Sequence, residues 1–162
     1  MLILGIDPGL QKTGWGIIES KGCALKFIAS GLIKTNPAAS LAERLASLHR
    51  GLAQVIEAYK PQSAAMEETF VNRNPASALK LGQARGALLA VPALYNLEVA
   101  EYSANKVKKS IVGSGHAAKQ QMGMMIKTLL PASGVISEDE ADALAVAITH
   151  AHHAANRSRI SA

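Results

Sequence analysis

Acidic residues that lie far apart in the sequence have the chemistry needed to bind a metal ion. The chain has only three aspartates, and two of them, Asp139 and Asp142, are spaced so that both lie on one face of a helix. The third, Asp7, follows the apolar run LILGI and would end a buried strand. An ionised carboxylate there is costly unless a helix N-terminus, an arginine or a metal ion meets it.

The segment SAAMEETF offers one more carboxylate. Glu67 and Glu68 leave a strand on opposite faces, so at most one of them joins the aspartates, and the pattern alone does not choose between them. Such oxygen ligands suit Mg²⁺, which also binds phosphate oxygens. Two Mg²⁺ ions about 4 Å apart can activate a water and neutralise the leaving oxygen in phosphodiester cleavage. The acidic residues therefore indicate a nuclease.

Some of these residues also have a purely structural interpretation. Ser137 and Glu140 have the spacing of a capping box, and acidic residues in a first helical turn interact favourably with the helix dipole, which by itself accounts for Asp139. Asp7 before Pro-Gly could form an Asx turn. Asp142 lies past the first turn, so the helix start does not explain it.

The charge distribution indicates a polyanionic partner. The net charge is +5 and the pI is about 9.5. The segment 73–127 contains eight basic and two acidic residues, whereas the rest of the chain is close to neutral. This asymmetry fits nucleic acid, although a solvated basic surface would give the same composition.

Apolar patterns predict the elements that would position the acidic residues. LILGI, TGWGIIE and ALKFIASGLI predict a meander of three antiparallel strands, and SAAMEETF and NLEVAEY predict two more. Helical spacing predicts a helix over 40–59, and Asn74-Pro75 begins another that ends at Pro92. Ser103 caps a short basic helix, a further helix follows residues 113–115, and the last begins at Ser137.

This order of elements predicts an α/β layer fold with a five-stranded mixed sheet. If strand four lies parallel to strand one, the two strands end side by side, and Asp7 faces a carboxylate of the segment 66–68.

Length and composition fit one domain. A chain of 162 residues can bury about two thirds of its unfolded surface in one core, and we assign residues 1–155 to it and 156–162 to a flexible basic tail. The one cysteine, Cys23, excludes an internal disulfide and a thiolate zinc site and indicates a reducing compartment. No export signal or membrane-spanning stretch is evident, so we predict a cytoplasmic protein without membrane contacts.

Four stretches of the sequence resemble one known family. ILGIDPGLQKTGWGII, SALKLGQARG, VKKSIVGSGHAAK and DEADALAVAITHAH are similar to the RuvC Holliday-junction resolvases of bacteria, members of the ribonuclease H-like superfamily. The resemblance implies a ribonuclease H-like three-layer fold. It also implies a homodimeric endonuclease that resolves four-way DNA junctions by paired symmetric nicks, leaving 5′-phosphate and 3′-hydroxyl ends in recombination and repair. Two Mg²⁺ ions per subunit, replaceable by Mn²⁺, and the branch-migration motor RuvA–RuvB as a partner are implied as well.

The resemblance also assigns roles to residues. It makes Asp7, Glu67, Asp139 and Asp142 the catalytic metal ligands, and so selects Glu67 over Glu68. Lys108 and Lys119 match family lysines close to the scissile phosphate, where a cation stabilises developing charge. Phe70 matches an aromatic residue that stacks on bases at the junction centre.

Further DNA contacts and a dimer contact complete the prediction. The other basic residues predicted to contact DNA are Arg73, Lys80, Arg85, Lys106 and Lys109. Small residues recur every fourth position at Ala78, Gly82, Gly86 and Ala90, a face that more often packs on its own sheet, but the resemblance places the dimer contact on this helix.

Two other functions are compatible with parts of this sequence. A sugar-kinase or actin-like ATPase also has an acidic, Gly-rich loop after its first strand, but it needs two such domains, and this chain is too short for both. A non-catalytic junction-binding protein would use the lysines to hold DNA and the carboxylates as helix caps. It would cut no DNA with or without Mg²⁺, so Mg²⁺-dependent cleavage separates it from the resolvase.

Overall fold

The computed structural model describes residues 1–68, 74–115 and 118–160. The strands are β1 (Leu2–Asp7), β2 (Lys12–Lys21), β3 (Ala24–Lys34), β4 (Ser63–Glu68) and β5 (Val99–Ser103). The helices are α1 (Leu41–Tyr59), α2 (Pro75–Leu94), α3 (Ala104–Val112), α4 (Lys119–Leu129) and α5 (Glu138–Ile160), with a 3₁₀ turn at Pro131–Ser133. Within these ranges, no helix combines the length and apolar character needed to cross a bilayer.

The five strands form one mixed sheet in the order β3-β2-β1-β4-β5. β1, β2 and β3 are antiparallel neighbours, whereas β4 lies parallel to both β1 and β5. The predicted α/β fold and meander are therefore confirmed. Because Ile6 pairs with Met66, the strand ends at Asp7 and Glu67 lie side by side at one edge of the sheet.

Helices cover both faces of this sheet. α5 lies on one face with α3 and α4, where Ile3 of β1 and Ala65 of β4 point into the core. α1 and α2 cover the other face, where Ile6 and Met66 are fully buried. Since side chains alternate along a strand, Asp7 and Glu67 project toward α5.

Side-chain caps begin several helices where the sequence predicts them. The Asn74 side chain accepts hydrogen bonds from the first turn of α2, and Ser103 does the same for α3. Ser137 and Glu140 form the predicted capping box, in which the Ser137 hydroxyl accepts from the Glu140 amide and Glu140 accepts from the Ser137 amide. These bonds satisfy backbone groups that a helix start leaves unpaired, so α2, α3 and α5 begin at defined residues.

Two helix ends differ from the sequence prediction. Pro92 does not end α2, which continues to Leu94, because a proline in the last turn removes only one helical hydrogen bond and its ring is buried. The Pro92 carbonyl accepts hydrogen bonds from the amides of Tyr95 and Leu97 just beyond the helix. α5 continues to Ile160, past the residue 155 boundary of the predicted tail. The tail's flexibility stays a prediction.

Candidate active site

Asp7 lies at the centre of an acidic cluster at the edge of the sheet. Burial is the main cause that raises its pKa to about 8, and the charges of Asp142, Glu67 and Asp139 raise it further, in that order. Lys119 acts in the opposite direction. In the structure, the groups that act on this carboxylate are therefore three other carboxylates and one lysine.

α5 reaches Asp7 because the sheet under it carries glycines. A Cβ on Gly5 of β1 would lie 2.0 Å from the carbonyl oxygen of Ala143. A Cβ on Gly14, the residue of β2 that pairs with Asp7, would lie 2.1 Å from the carbonyl oxygen of Asp139. Only glycine permits this approach of two backbones, which places the start of α5 directly over the end of β1.

The other two central carboxylates respond to the same surroundings. Burial is the largest cause that raises the pKa of Glu67, and Asp142 adds to it. Burial also raises the pKa of Asp142, with Lys119 opposing and Glu138 and Asp139 adding. Asp7, Glu67 and Asp142 line a cavity of about 320 Å³, to which Glu68, Leu81 of α2 and Ala104 of α3 also contribute.

The charges of two lysines act on this cluster. Lys108 of α3 lowers the pKa values of both Glu67 and Asp142, and so does Lys119 at the start of α4. Lys119 is mostly exposed and pairs with Glu138, and this pairing is the main cause that raises the Lys119 pKa. The structure therefore places positive charge beside the carboxylates at the mouth of the site.

The donor set fits a hard divalent cation. The four acidic side chains supply oxygen atoms only, which Mg²⁺ and Mn²⁺ prefer. A bound cation would offset the electrostatic repulsion between these carboxylates. In the described ranges, no three Asp, Glu, His or Cys side chains form a closed ligand cluster as they stand. The carboxylates thus adjoin one another without forming a complete shell.

Sequence reasoning missed the contacts that hold the start of α5 in place. Ser30 of β3 donates a 2.8 Å hydrogen bond to Glu140, which also accepts from the Ser137 amide and hydroxyl. These bonds help to lower the pKa of Glu140 against the opposing effect of burial. The helix that carries Asp139 and Asp142 is therefore tied to a strand more than one hundred residues earlier, and no local pattern marks this partner.

The structure gives Arg85, a predicted DNA contact, two protein partners. Its Nε donates a 3.3 Å hydrogen bond to the backbone carbonyl of Glu67, and its guanidinium pairs with the carboxylate of Glu101 on β5. Its side chain is 20% exposed. A contact with DNA stays a prediction for this residue.

The structure gives less information on the remaining predicted DNA contacts. Lys80 is exposed on α2. Lys106 and Lys109 line a separate cavity of about 640 Å³ with His152 and His153. Phe70 and Arg73 fall outside the described residues.

The small-residue face of α2 does not pack on the sheet of its own chain. Gly82, Gly86 and Ala90 are exposed and Ala78 is half-buried, and a Cβ on either glycine would meet nothing within 4 Å. Exposed Leu79 and Leu94 lie on the same helix. This open face is available to a second backbone.

Comparisons with known sequences identify a matching family. The family model described as crossover junction endodeoxyribonuclease RuvC matches residues 3–150. A protein of that name from Paramagnetospirillum magneticum is 56% identical over 161 residues, which cover 99% of this chain and 97% of the relative. Another, from Beijerinckia indica, is 61% identical over 149 residues, covering 92% and 85%.

Solved structures show the same likeness. The structure of T. thermophilus RuvC in complex with Holliday junction substrate is similar with a TM-score of 0.90 and 31% identity, covering 97% of this chain and 96% of that one. The yeast mitochondrial Holliday junction resolvase Ydc2 is similar in fold, with a TM-score of 0.68 at 13% identity and coverage of 99% and 84%. These likenesses confirm the predicted ribonuclease H-like fold.

Proposed function

The chain belongs to the RuvC family of crossover junction endodeoxyribonucleases, and from this premise we propose that it resolves Holliday junctions by hydrolysing DNA phosphodiester bonds. The products are paired, symmetric nicks with 5′-phosphate and 3′-hydroxyl ends, which a ligase can seal in recombination and repair.

The observation that carries this proposal is the surroundings of Asp7. A carboxyl group with a pKa of about 8, beside three other carboxylates, destabilises the folded protein when it is ionised unless a cation offsets its charge, and such perturbed groups are typical of functional sites. The neighbouring Lys108 and Lys119 are suited to attract a phosphate to the same place. Acidic ligands and phosphate-binding cations side by side support phosphodiester chemistry.

We assign the cation-binding role to Asp7, Glu67, Asp139 and Asp142. Two Mg²⁺ ions per subunit, or Mn²⁺ in their place, would activate water and neutralise the leaving oxygen when bound. Asp7 is central because all three other carboxylates act on it. Lys108 and Lys119 orient the phosphate and stabilise its developing negative charge.

DNA is held around this site by the basic segment. Lys80, Lys106, Lys109 and Arg73 are assigned phosphate contacts, and Phe70 is assigned stacking on a base at the junction centre. Each phosphate contact releases counterions, so junction binding should weaken steeply with salt.

Resolution needs two cuts, and a homodimer supplies them. The open face of α2, with Gly82 and Gly86, is assigned to the subunit contact because it has room for a second backbone. A two-fold dimer matches the near two-fold symmetry of a four-way junction. Docking to RuvA–RuvB and a cytoplasmic location remain predictions from the resemblance and the sequence.

The proposal is tested with a labelled synthetic four-way junction and a linear duplex of matched sequence, each with Mg²⁺ and with EDTA. We expect paired nicks only in the junction incubated with Mg²⁺, and no nicks in the linear duplex or in EDTA. A non-catalytic junction-binding protein would bind the junction in both conditions and cut in neither. Binding without cleavage would therefore overturn the proposal and favour that alternative.

A further inference from the structure

Arg85 connects α2 to the strand end that carries Glu67, and we propose that it is a positioning residue for this carboxylate. The inference rests on the proposed function, because the position of Glu67 matters to catalysis only if Glu67 is a ligand. It assigns Arg85 a different role from the DNA contact that its charge suggested.

The contacts of Arg85 join three elements. From α2, its Nε donates to the carbonyl of Glu67 on β4 at 3.3 Å, and its guanidinium pairs with Glu101 on β5. Met66 and Glu101 are register partners, so the two groups held by Arg85 lie on neighbouring strands. One planar side chain thus fastens the ends of β4 and β5 to α2.

Arg85 holds Glu67 from the side opposite its carboxylate. The Glu67 side chain projects toward α5, whereas α2 and the buried Met66 belong to the other face of the sheet. Arg85 therefore contacts the Glu67 backbone without entering the shell of acidic oxygens. Holding this carbonyl restrains the backbone at the end of β4, from which the Glu67 side chain extends toward α5. Groups that hydrogen-bond metal-ligating side chains directly change metal affinity or activity by about 10–100-fold when they are removed, and a contact through the backbone should act at the lower end of that range.

The same contacts argue against a DNA role for Arg85. Its charge is already paired with Glu101, and its side chain is mostly covered. A phosphate would have to displace Glu101 to reach the guanidinium. By contrast, Lys80 on the same helix is exposed, so its charge is accessible to DNA.

Arg85→Lys separates the two roles because it keeps the positive charge and removes the planar fork that holds two partners. We expect this variant to bind the junction in EDTA within about twofold of the wild type, since residue 85 does not contact phosphate and the net charge of the protein is unchanged. We also expect Mn²⁺ binding, measured by calorimetry without DNA, to weaken by about tenfold or more, and single-turnover cleavage to fall by a similar factor.

Two further variants keep the test decisive. Glu101→Gln leaves the bond to Glu67 in place and removes one anchor of Arg85, so it should weaken Mn²⁺ binding by a smaller factor while junction affinity is kept. Lys80→Gln, the comparison for charge loss on α2, should lower junction affinity and reduce the salt slope by about one unit without changing Mn²⁺ affinity. Thermal unfolding of each variant identifies any that fail to fold. If Arg85→Lys does not fold, the Mn²⁺ affinity of Glu101→Gln decides whether Arg85 is a positioning residue.

The outcomes are distinct. If Arg85→Lys and Glu101→Gln both bind Mn²⁺ and cleave as the wild type does, Arg85 is not a positioning residue and the inference is overturned. The same holds if Arg85→Lys loses junction affinity alone. Failure of the wild type to cut any junction would instead overturn the proposed function, while the Mn²⁺ measurements would still report on Arg85.

Discussion

The carbonyl oxygen of Asp139 lies against Gly14, so closely that a Cβ on Gly14 would come within 2.1 Å of it. Gly14 is also the strand partner of Asp7. This one approach sets how far the start of α5 lies from the end of β1, and thereby how close the aspartates of the two elements come to each other.

Gly14→Ala should therefore damage the site. The added methyl must push α5 away from β2, which we expect to cost about 1–3 kcal/mol of unfolding free energy. Displacing catalytic groups by about 1 Å can lower a rate by about a hundredfold. Urea unfolding and single-turnover junction cleavage measure the two effects.

The control for that variant is Gly123→Ala in α4, where a Cβ would meet nothing within 4 Å. It should keep the cleavage rate, and alanine's higher helix propensity should add up to about 1 kcal/mol of stability. Wild-type cleavage by Gly14→Ala would show that the close approach is not needed.

Asp7→Asn should abolish cleavage and keep junction binding. The amide removes a cation ligand but also removes a negative charge that repels phosphate, so affinity in EDTA should be equal or tighter. Gel-shift and cleavage assays on the same labelled junction measure both properties. The matched control is Glu68→Gln, which removes the neighbouring carboxylate that alternation along β4 directs away from α5, and it should retain cleavage. If Asp7→Asn cut at the wild-type rate, Asp7 would be only a turn residue.

The metal-free protein should lose stability as pH rises from about 4 to 8. Because the pKa of Asp7 is about 8 in the folded state and 3.8 unfolded, the folded state holds a proton that the unfolded state releases in this window. Unfolding free energy therefore falls with pH, and the raised pKa values of Glu67 and Asp142 add to the fall. Asp7→Asn removes the largest part of this dependence.

Urea unfolding in EDTA at pH 5 and pH 8 checks the sign. At pH 8 the unfolding free energy of Asp7→Asn should exceed that of the wild type by a few kcal/mol, whereas at pH 5 the difference should be smaller. Millimolar Mg²⁺ should stabilise the wild type more than the variant at pH 8. A wild type equally stable at both pH values without metal would contradict the buried carboxylate cluster.

Lys119→Gln should lower the cleavage rate more than the junction affinity. Lys119 acts on Asp7, Glu67 and Asp142, so its charge is placed to stabilise the reacting phosphate. Loss of one such group typically costs about 10²–10³-fold in rate. Saturating single-turnover kinetics separate rate from binding. Lys127→Gln, an exposed lysine in the last turn of the same helix, should cleave normally, and equal rates for both variants would rule out a special role for Lys119.

Gly86→Leu should weaken the proposed dimer without unfolding the subunit. A Cβ at Gly86 meets nothing within 4 Å in its own chain, and leucine favours a helix more than glycine does. Sedimentation should show a higher dissociation constant, and cleavage should give single nicks in place of paired ones. As a control, Gly123→Leu should leave the oligomeric state unchanged. If Gly86→Leu also leaves it unchanged, α2 is not the subunit contact.

Patterns within a few residues of each other were enough to predict most of the fold. The apolar run ending at Asp7, the cap at Asn74 and the capping box at Ser137 are local, because strand alternation and helix-start hydrogen bonds depend on immediate neighbours. The end of α2 was predicted wrongly because burial of Pro92 outweighs its local effect on the helix.

The carboxylates of the candidate site could be chosen from the sequence, but their arrangement could not. Residue types and the family motifs point to Asp7, Glu67, Asp139 and Asp142. The approach of Asp139 to Gly14, the bond from Ser30 to Glu140 and the bond from Arg85 to Glu67 join residues far apart in the chain. Such distances depend on how whole faces pack, and no local propensity encodes them. The sequence by itself therefore predicts which groups form the candidate site, and the packing of α5 and α2 on the sheet determines where these groups lie.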